Sequence, residues 1–156
     1  MTPPPSARGA SGPAGGHDFE RIHSRPPFRE WVHRGNGLRL LLVANRVAPV
    51  ATFCVVYHVG SRNEAVGYTG ATHLLEHLLF KGTPEFRREL GTAIAAVLEA
   101  LGARFNATTW FDRTNYYETV PSSQLPVVAR LEASRMRGAL LRAEDLTSEM
   151  TVVRNE

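Results

Sequence analysis

The segment GATHLLEHLLFKGT contains two histidines and a glutamate at spacings that suit metal-dependent chemistry. On an α-helix, residues four apart project from one face, so the imidazoles of His73 and His77 can reach a single cation. Glu76 lies on the same face, where its carboxylate can accept a proton from a metal-activated water. The order H-x-x-E-H is the inverted form of a zinc peptidase signature. These residues therefore predict a catalytic zinc site with two imidazole ligands and a glutamate base.

The third ligand of this site must come from elsewhere in the chain, because a catalytic zinc needs three protein ligands and one open position. Cys54 is the single cysteine, so a carboxylate or another histidine is expected. Glu149 and Glu156 are the best candidates, since residues seven apart share a face of the last predicted helix. One could bind the ion while the other hydrogen-bonds a liganding imidazole. Spacing leaves that choice open, and it leaves open that both are ordinary surface glutamates.

The alternative for the H-x-x-E-H segment itself is a surface helix in which Glu76 forms an ion pair with a histidine. The neighbouring positions are leucines, and three polar groups among apolar side chains need a partner. This favours the metal site.

The elements that must position these residues follow from hydrophobic patterning. Residues 38–44 and 51–59 are expected to be strands that pair in one sheet. Residues 104–109 and 114–120 are expected to form a hairpin. Helices are expected over four segments, namely 73–80, 84–100, a stretch beginning near 122, and 143–156. Strands and helices mix without strict alternation, which favours an α+β layer arrangement.

Several side chains in these elements are expected to pack rather than to react. Cys54 lies in an apolar strand and is expected to be a buried, inert thiol. The third helix is expected to turn Val127, Val128, Leu131 and Met136 inward. The aromatic residues of the hairpin are expected to fill its turn and its packed face, with one tyrosine near the cleft as an alternative substrate contact: Trp110, Phe111, Tyr116 and Tyr117.

Composition excludes several classes of protein. The 156 residues are 43% hydrophobic and 21% charged, which fits one ordinary domain with a core. No run approaches the roughly 18 apolar residues of a membrane span. The net charge is +3, and its basic residues, 17 arginines and one lysine, are scattered, so nucleic-acid binding is not expected.

The N-terminal part of the chain differs in composition from the rest. Residues 1–16, MTPPPSARGASGPAGG, are expected to be a disordered Pro/Gly/Ala-rich tail. Residues 17–35 are expected to be a polar lead-in segment. Residues 1–16 lack the apolar stretch of a secretory signal and the amphipathic helix of a mitochondrial presequence, so a cytoplasmic location is expected.

An ordered set of motifs resembles the pitrilysin and insulinase family of zinc metallopeptidases, including the mitochondrial processing peptidase type. The motifs are NGLRLLLV, VVYHVGSRNE, GATHLLEHLLFKGT, LGARFNATT, TNYYE and EMTVVRNE. The resemblance covers residues 36–156 and implies the N-terminal catalytic domain of that family. It implies an α+β fold with a mixed, mostly antiparallel sheet packed against helices, the metalloenzyme fold of the LuxS and processing-peptidase type, incomplete at its C-terminus.

By position, the resemblance implies a role for each residue of the site. His73 and His77 match zinc ligands and Glu76 matches the general base. Glu156 matches the third ligand, 79 residues after His77, and Glu149 matches the family's accessory glutamate. Thus the resemblance assigns the two glutamates that spacing left unassigned.

The resemblance also implies a substrate site and an activity. Asn106 and Ala107 match an edge strand that pairs with an extended substrate, although Asn106 could instead be a turn residue. The implied activity is a zinc-dependent metalloendopeptidase with one zinc per chain, acting on peptides or unfolded polypeptides. The alternatives are a non-catalytic peptide-binding subunit of a heteromeric processing peptidase and a structural zinc domain. Family members add a second homologous domain or partner subunit, so the chain is expected to be a fragment that is inactive alone.

Overall fold

A computed structural model describes residues 18–156, so the expected tail of residues 1–16 lies outside the described residues. The described chain forms two units, one within residues 18–48 and one over Pro49–Glu156. All strand pairs in them are antiparallel, and all four α-helices belong to the second unit. The α+β expectation is therefore confirmed. No helix among residues 18–156 has the length and apolar character needed to cross a membrane.

The first unit is a three-stranded sheet in the order β1-β2-β3. Its strands are β1 (Phe19–Arg25), β2 (Phe28–His33) and β3 (Arg39–Val43). The lead-in segment thus folds as a hairpin, which its polar composition did not indicate. The expected pairing of residues 38–44 with 51–59 is wrong, because β3 pairs with β2, with Trp31 opposite Leu40, and residues 50–57 belong to a separate three-stranded sheet.

The second unit contains a three-stranded sheet in the order β4-β6-β5. Its strands are β4 (Val50–Tyr57), β5 (Arg104–Thr109) and β6 (Thr114–Pro121). The expected hairpin is confirmed, since β5 pairs with β6 from Arg104 opposite Thr119 to Thr109 opposite Thr114. In this sheet β6 is central, so one edge of β5 is free of any other strand among residues 18–156.

Four helices accompany this sheet, and two differ in length from the sequence pattern. They are α1 (Ala71–Leu78), α2 (Ile94–Ala100), α3 (Leu125–Gly138) and α4 (Ala143–Val153). The expected helix over 84–100 is wrong in its first half. There, a 3-10 turn ends at Gly91 in the left-handed region, with φ of 68°, and the Thr92 hydroxyl donates to the carbonyl of Glu85 at 2.8 Å. These local bonds replace the helical ones until Ile94.

The core of the second unit lies between one face of its sheet and the helices α2 and α3. Its buried members are Phe86, Ile94, Leu98, Val120, Val128 and Leu131. Two expectations about packing are wrong. Met136 is 48% exposed near the end of α3. Cys54 is exposed because β4 alternates, and Phe53 and Val55 turn to the core instead.

Candidate metal centre

The helix that carries the H-x-x-E-H segment is held at its N-terminus by a carboxylate. Glu64 Oε2 accepts from the N–H of Gly70 at 2.9 Å, and Oε1 accepts from the N–H of Thr72 at 2.8 Å. The Thr72 hydroxyl also donates to Oε1, at 2.5 Å. These hydrogen bonds, those from Thr72 first, lower the pKa of Glu64. A negative charge at this end also suits the helix dipole, so Glu64 stabilises the start of α1.

Three side chains converge beside α1. His73 Nε2 lies 3.3 Å from Glu156 Oε2, and His77 Nε2 lies 3.5 Å from the same oxygen. One ligand atom from each residue falls within 4.8 Å of the others. Two atoms bound to one tetrahedral zinc at about 2.0–2.1 Å lie about 3.3–3.4 Å apart. The observed separations therefore fit a single ion of that size and coordination.

Glu156 reaches this cluster from beyond the end of α4. The helix stops at Val153, so the expected shared helical face of Glu149 and Glu156 is wrong. The following turn is closed by Asn155, whose N–H donates to the Val152 carbonyl at 2.9 Å. Since α4 packs against α1, this turn brings Glu156 to the two histidines, where its side chain keeps 48% exposure.

Glu149 lies behind the cluster and contacts the far side of one imidazole. Its Oε2 is 3.0 Å from Nδ1 of His77, and its Oε1 is 2.5 Å from the ammonium of Lys81. Burial raises the pKa of Glu149, but hydrogen bonds and charge from Lys81 and His77 outweigh it and leave that pKa below its usual value. An ionised carboxylate only accepts hydrogen bonds, so Nδ1 of His77 donates this one and Nε2 is the nitrogen that faces Glu156.

Glu76 is buried on the same helix, next to the cluster. Its Oε2 accepts a hydrogen bond from the Thr109 hydroxyl at 2.5 Å, and its backbone carbonyl accepts one from the Tyr116 hydroxyl at 3.5 Å. Thr109 ends β5 and Tyr116 lies on β6, so the hairpin holds this turn of α1 in place.

A cleft of about 690 Å³ opens in front of these residues. Residues of α1, β5 and the β5–β6 turn line it, among them His73, Glu76, Ala107, Thr109, Trp110 and Phe111. The free edge of β5 runs along it. The N–H of Ala107 donates to Oδ1 of Asn106 at 2.9 Å, so the side chain of Asn106 satisfies a donor at this edge.

The residues of this site lie within a match to a known protein family. Residues 39–156 match the insulinase family, peptidase family M16. The chain belongs to the insulinase family. The resemblance inferred from the ordered motifs is therefore confirmed.

Three relatives of the insulinase family illustrate the similarity. An uncharacterized zinc protease of Streptomyces coelicolor is 37% identical over 120 residues, which is 77% of this chain and 26% of that protein. The mitochondrial-processing peptidase subunit beta of Lentinula edodes is 32% identical, over 83% of this chain and 27% of that protein. The crystal structure of pitrilysin matches with a TM-score of 0.74 and 25% identity, over 86% of this chain and 15% of pitrilysin. The chain thus spans about a quarter of the length of the curated relatives it matches.

The structure brings together most of the residues that the insulinase resemblance implied. His73, His77 and Glu156 form the cluster, and Glu149 contacts it through one imidazole. Ala107 lines the cleft, whereas Asn106 lies on the exposed face of β5 and is not part of the lining. Asn106 belongs to a strand, so the alternative of a turn residue is wrong.

Sequence reasoning missed three contributors to this site. Thr109 contacts the buried glutamate, Lys81 contacts Glu149, and Glu64 caps α1. Only Glu64 had a local signal, because an acidic residue shortly before a helix is typical of a charged cap. The other two contacts join elements that are distant in the sequence.

A second group of charged residues is buried beneath the site. Arg135, Glu118 and Glu132 are each 1% exposed. A guanidinium nitrogen of Arg135 lies 3.1 Å from Glu132 and 3.8 Å from Glu118. The guanidinium is also stacked between Phe80 and Tyr116, at 4.7 and 4.6 Å from their ring centres. Burial, followed by the charge of Glu132, raises the pKa of Glu118 to about 8. This group links α3 and β6 to the aromatic residues behind α1.

Proposed function

We propose that this chain carries the zinc centre and the general base of a metalloendopeptidase. The observation that carries the proposal is the convergence of His73, His77 and Glu156 within 4.8 Å, with Glu76 buried on the same helix beside them. Membership of the insulinase family and the name zinc protease of a relative support it. One ion per chain suits the three ligand atoms.

Zinc bound there would polarise the scissile carbonyl and activate a water molecule. Glu76 would take the proton of that water and later deliver it to the leaving amine. The Thr109 hydroxyl fixes Oε2 of Glu76 and leaves the other carboxylate oxygen free for this transfer. Glu76 is buried, so the surrounding protein keeps bulk water away from its carboxylate.

Glu149 would orient His77 without binding the ion. Its contact with Nδ1 selects the tautomer in which Nε2 is unprotonated, which is the form that binds a metal. Among residues 18–156, Glu156 alone places a carboxylate oxygen near both Nε2 atoms. We therefore assign Glu156 as the third ligand and Glu149 as a supporting group.

The substrate would be a peptide or an unfolded polypeptide that adds a strand to the free edge of β5. Backbone pairing of this kind accepts many sequences, because it uses groups that every residue has. A substrate carbonyl would replace Oδ1 of Asn106 at the N–H of Ala107, and the released amide of Asn106 would then bind the substrate backbone.

A second domain or partner subunit would close the cleft. The chain spans about a quarter of its relatives' length, and one relative is named as a subunit of the mitochondrial-processing peptidase. Catalysis needs the scissile bond held within a fraction of an ångström and sheltered from water. We therefore propose that the 156-residue chain alone binds metal but turns over peptides weakly. A longer form of the protein should cleave the same peptide much faster, and equal turnover by both would contradict this.

The test separates the roles of ligand and base. His77→Ala should lose tight zinc binding and peptide cleavage together. Glu76→Gln should keep zinc and lose cleavage, because the amide has nearly the same shape but cannot take a proton. Zinc content and cleavage of an unstructured fluorogenic peptide are measured side by side.

Matched controls are His58→Ala and Glu99→Gln, which change exposed residues outside the cluster and should leave both readouts unchanged. A non-catalytic peptide-binding subunit would bind the peptide without cleaving it even in the longer form of the protein. A structural zinc domain would bind zinc tightly but neither bind nor cleave the peptide. Either result would overturn the proposal.

A further inference from the structure

Two large aromatic side chains stand exposed at the turn between β5 and β6. Trp110 is 60% exposed and Phe111 is 65% exposed. Their rings meet edge to face, with centres 5.5 Å apart. The sequence pattern assigned these residues to packing, yet the structure leaves most of both side chains open. Exposed aromatic surface of this size is typical of a site that binds a partner molecule.

The backbone that carries these two side chains is firmly anchored. The N–H groups of Ser61 and Arg62 donate to the carbonyls of Trp110 and Phe111 at 3.0 and 2.9 Å. Gly60 allows this close approach, since a Cβ atom there would lie 2.2 Å from the Trp110 carbonyl oxygen. The backbone of the aromatic pair is therefore held in place before any ligand arrives, which lowers the ordering entropy that binding costs.

The aromatic pair belongs to the cleft of the metal centre. Trp110 and Phe111 line the same space as His73 and Glu76. Thr109, which donates to Glu76, directly precedes Trp110 in the chain. A peptide that extends along the edge of β5 toward its end therefore meets the aromatic rings next to the residues proposed for catalysis.

The charges around the aromatic pair favour an apolar ligand group. Arg113 lies in the same part of the cleft, so a lysine or arginine side chain would be repelled there. The guanidinium of Arg113 is already hydrogen-bonded to the amide oxygen of Asn115, which lessens its attraction for an acidic side chain. The Glu64 carboxylate is likewise engaged by the start of α1.

We propose that Trp110 and Phe111 form a specificity site for a bulky apolar side chain of the peptide substrate, within a few residues of the scissile bond. This inference rests on the proposed peptidase function and adds its substrate class. Pairing along the edge of β5 uses backbone groups and does not select among substrate side chains. The rings of Trp110 and Phe111 therefore supply the selectivity for one of them. Filling or emptying an apolar pocket of this size is worth about 10- to 100-fold in kcat/KM.

The first experiment compares peptides that differ at one position. In a set of peptides, each residue near the cleavage site is changed in turn to Leu, Phe, Ser, Lys or Glu. Cleavage of every peptide is measured with the unsubstituted protein and with W110A/F111A. The unsubstituted protein should prefer Leu or Phe at one position by about 10-fold or more. The double variant should lose that preference, mainly through KM, so that its kcat/KM values for the Leu, Phe and Ser peptides differ by less than about twofold.

Two further variants act as matched controls. Leu141→Ala removes another exposed apolar side chain, 61% exposed and outside the cleft lining, and should leave the preference unchanged. Trp110→Phe keeps an aromatic ring and should retain most of the preference. A uniform loss of activity on all peptides in W110A/F111A would overturn the inference while leaving the peptidase proposal in place.

The second experiment keeps the aromatic pair intact, so it does not depend on the folding of that variant. Trp31 and Trp110 are the two tryptophans of the sequence. In a zinc-loaded W31F/E76Q protein, the preferred apolar peptide should bind without being cleaved and shift Trp110 emission to shorter wavelength. Binding without any change in Trp110 emission would overturn the inference. If no peptide is cleaved by the unsubstituted protein or bound by this variant, the proposed function fails and the inference fails with it.

Discussion

The ammonium of Lys81 lies 2.5 Å from one oxygen of Glu149, whose other oxygen lies 3.0 Å from Nδ1 of His77. Lys81 follows α1 and Glu149 lies on α4, so this contact joins the two helices that supply the metal cluster. Lys81, the single lysine of the chain, therefore supports the orientation of the His77 imidazole through Glu149.

Removal of this lysine should weaken metal binding. In Lys81→Met, Glu149 keeps its burial but loses its cation, so it holds His77 less firmly. Zinc affinity should fall about 10- to 100-fold, as is typical when a group that supports a ligand is removed. Competition with a chromogenic chelator measures it. Lys81→Arg should keep most of the affinity, and Arg88→Met, which removes an exposed cation elsewhere, should have no effect. Unchanged affinity in Lys81→Met would contradict the role of Lys81.

Replacement of Glu156 should weaken zinc binding without weakening the fold. Glu156→Gln should lower zinc affinity by at least 100-fold, because a carboxylate ligand is lost. It should change the unfolding free energy of the metal-free protein by less than about 0.5 kcal/mol, since the side chain is half exposed. Glu144→Gln, which alters a glutamate that is 76% exposed, is the control. Loss of affinity in Glu144→Gln as well would indicate a nonspecific charge effect.

Local and distant contacts differ in how well the sequence predicted them. The shared face of His73 and His77 follows from the helical period, which depends only on neighbouring residues. The choice between Glu149 and Glu156 depends on how α4 packs on α1 and on a turn after α4, so spacing could not make it. The hydrogen bond from Thr109 to Glu76 likewise depends on the packing of β5 against α1. The family resemblance assigned the two glutamates, but it gave no sign of the contact between Thr109 and Glu76.

The same limit applies to the sheets. Alternation along residues 51–57 identified β4, but not its partner, because every strand offers the same backbone groups to a neighbour. In the structure β4 pairs with β6, with Phe53 opposite Glu118, and Phe53 packs against the core. The hairpin β1–β2 was missed because its side chains are polar and mostly exposed.

Asn106 should affect peptide cleavage more than folding. In Asn106→Ala the N–H of Ala107 loses its side-chain acceptor at an exposed edge, where water replaces it at little cost. The substrate loses a hydrogen bond from the amide, so kcat/KM should fall about tenfold, mainly through KM. Steady-state cleavage of one peptide measures it. Arg104→Ala, two residues earlier on the same face of β5, should leave cleavage unchanged. A thermal unfolding midpoint lowered by several degrees in Asn106→Ala would instead indicate a structural role.

The buried carboxylates beneath the site should make stability depend on pH. Burial, then the charge of Glu132, raises the pKa of Glu118 from 4.5 to about 8. Between these two pH values the folded protein holds a proton on Glu118 that the unfolded chain has released. Stability from this group is therefore fully present below about pH 4.5 and is lost progressively as pH rises toward 8. Glu118→Gln stays neutral throughout. Its unfolding free energy, measured in urea from pH 5 to 9, should rise relative to that of the unsubstituted protein as pH increases.

A variant of Arg135 tests the same buried group from its cationic side. The guanidinium of Arg135 is the cation that Glu118 and Glu132 share. Arg135→Met keeps an apolar side chain between Phe80 and Tyr116 but leaves the buried carboxylates without a cation. It should lower the unfolding free energy by about 3–5 kcal/mol at neutral pH, as happens when one partner of a buried ion pair is removed. Adding Glu118→Gln to Arg135→Met should recover part of that loss only above about pH 8, where Glu118 would otherwise carry a second buried negative charge. If the difference in unfolding free energy between Glu118→Gln and the unsubstituted protein does not change with pH, the pKa of Glu118 is not raised in the folded protein.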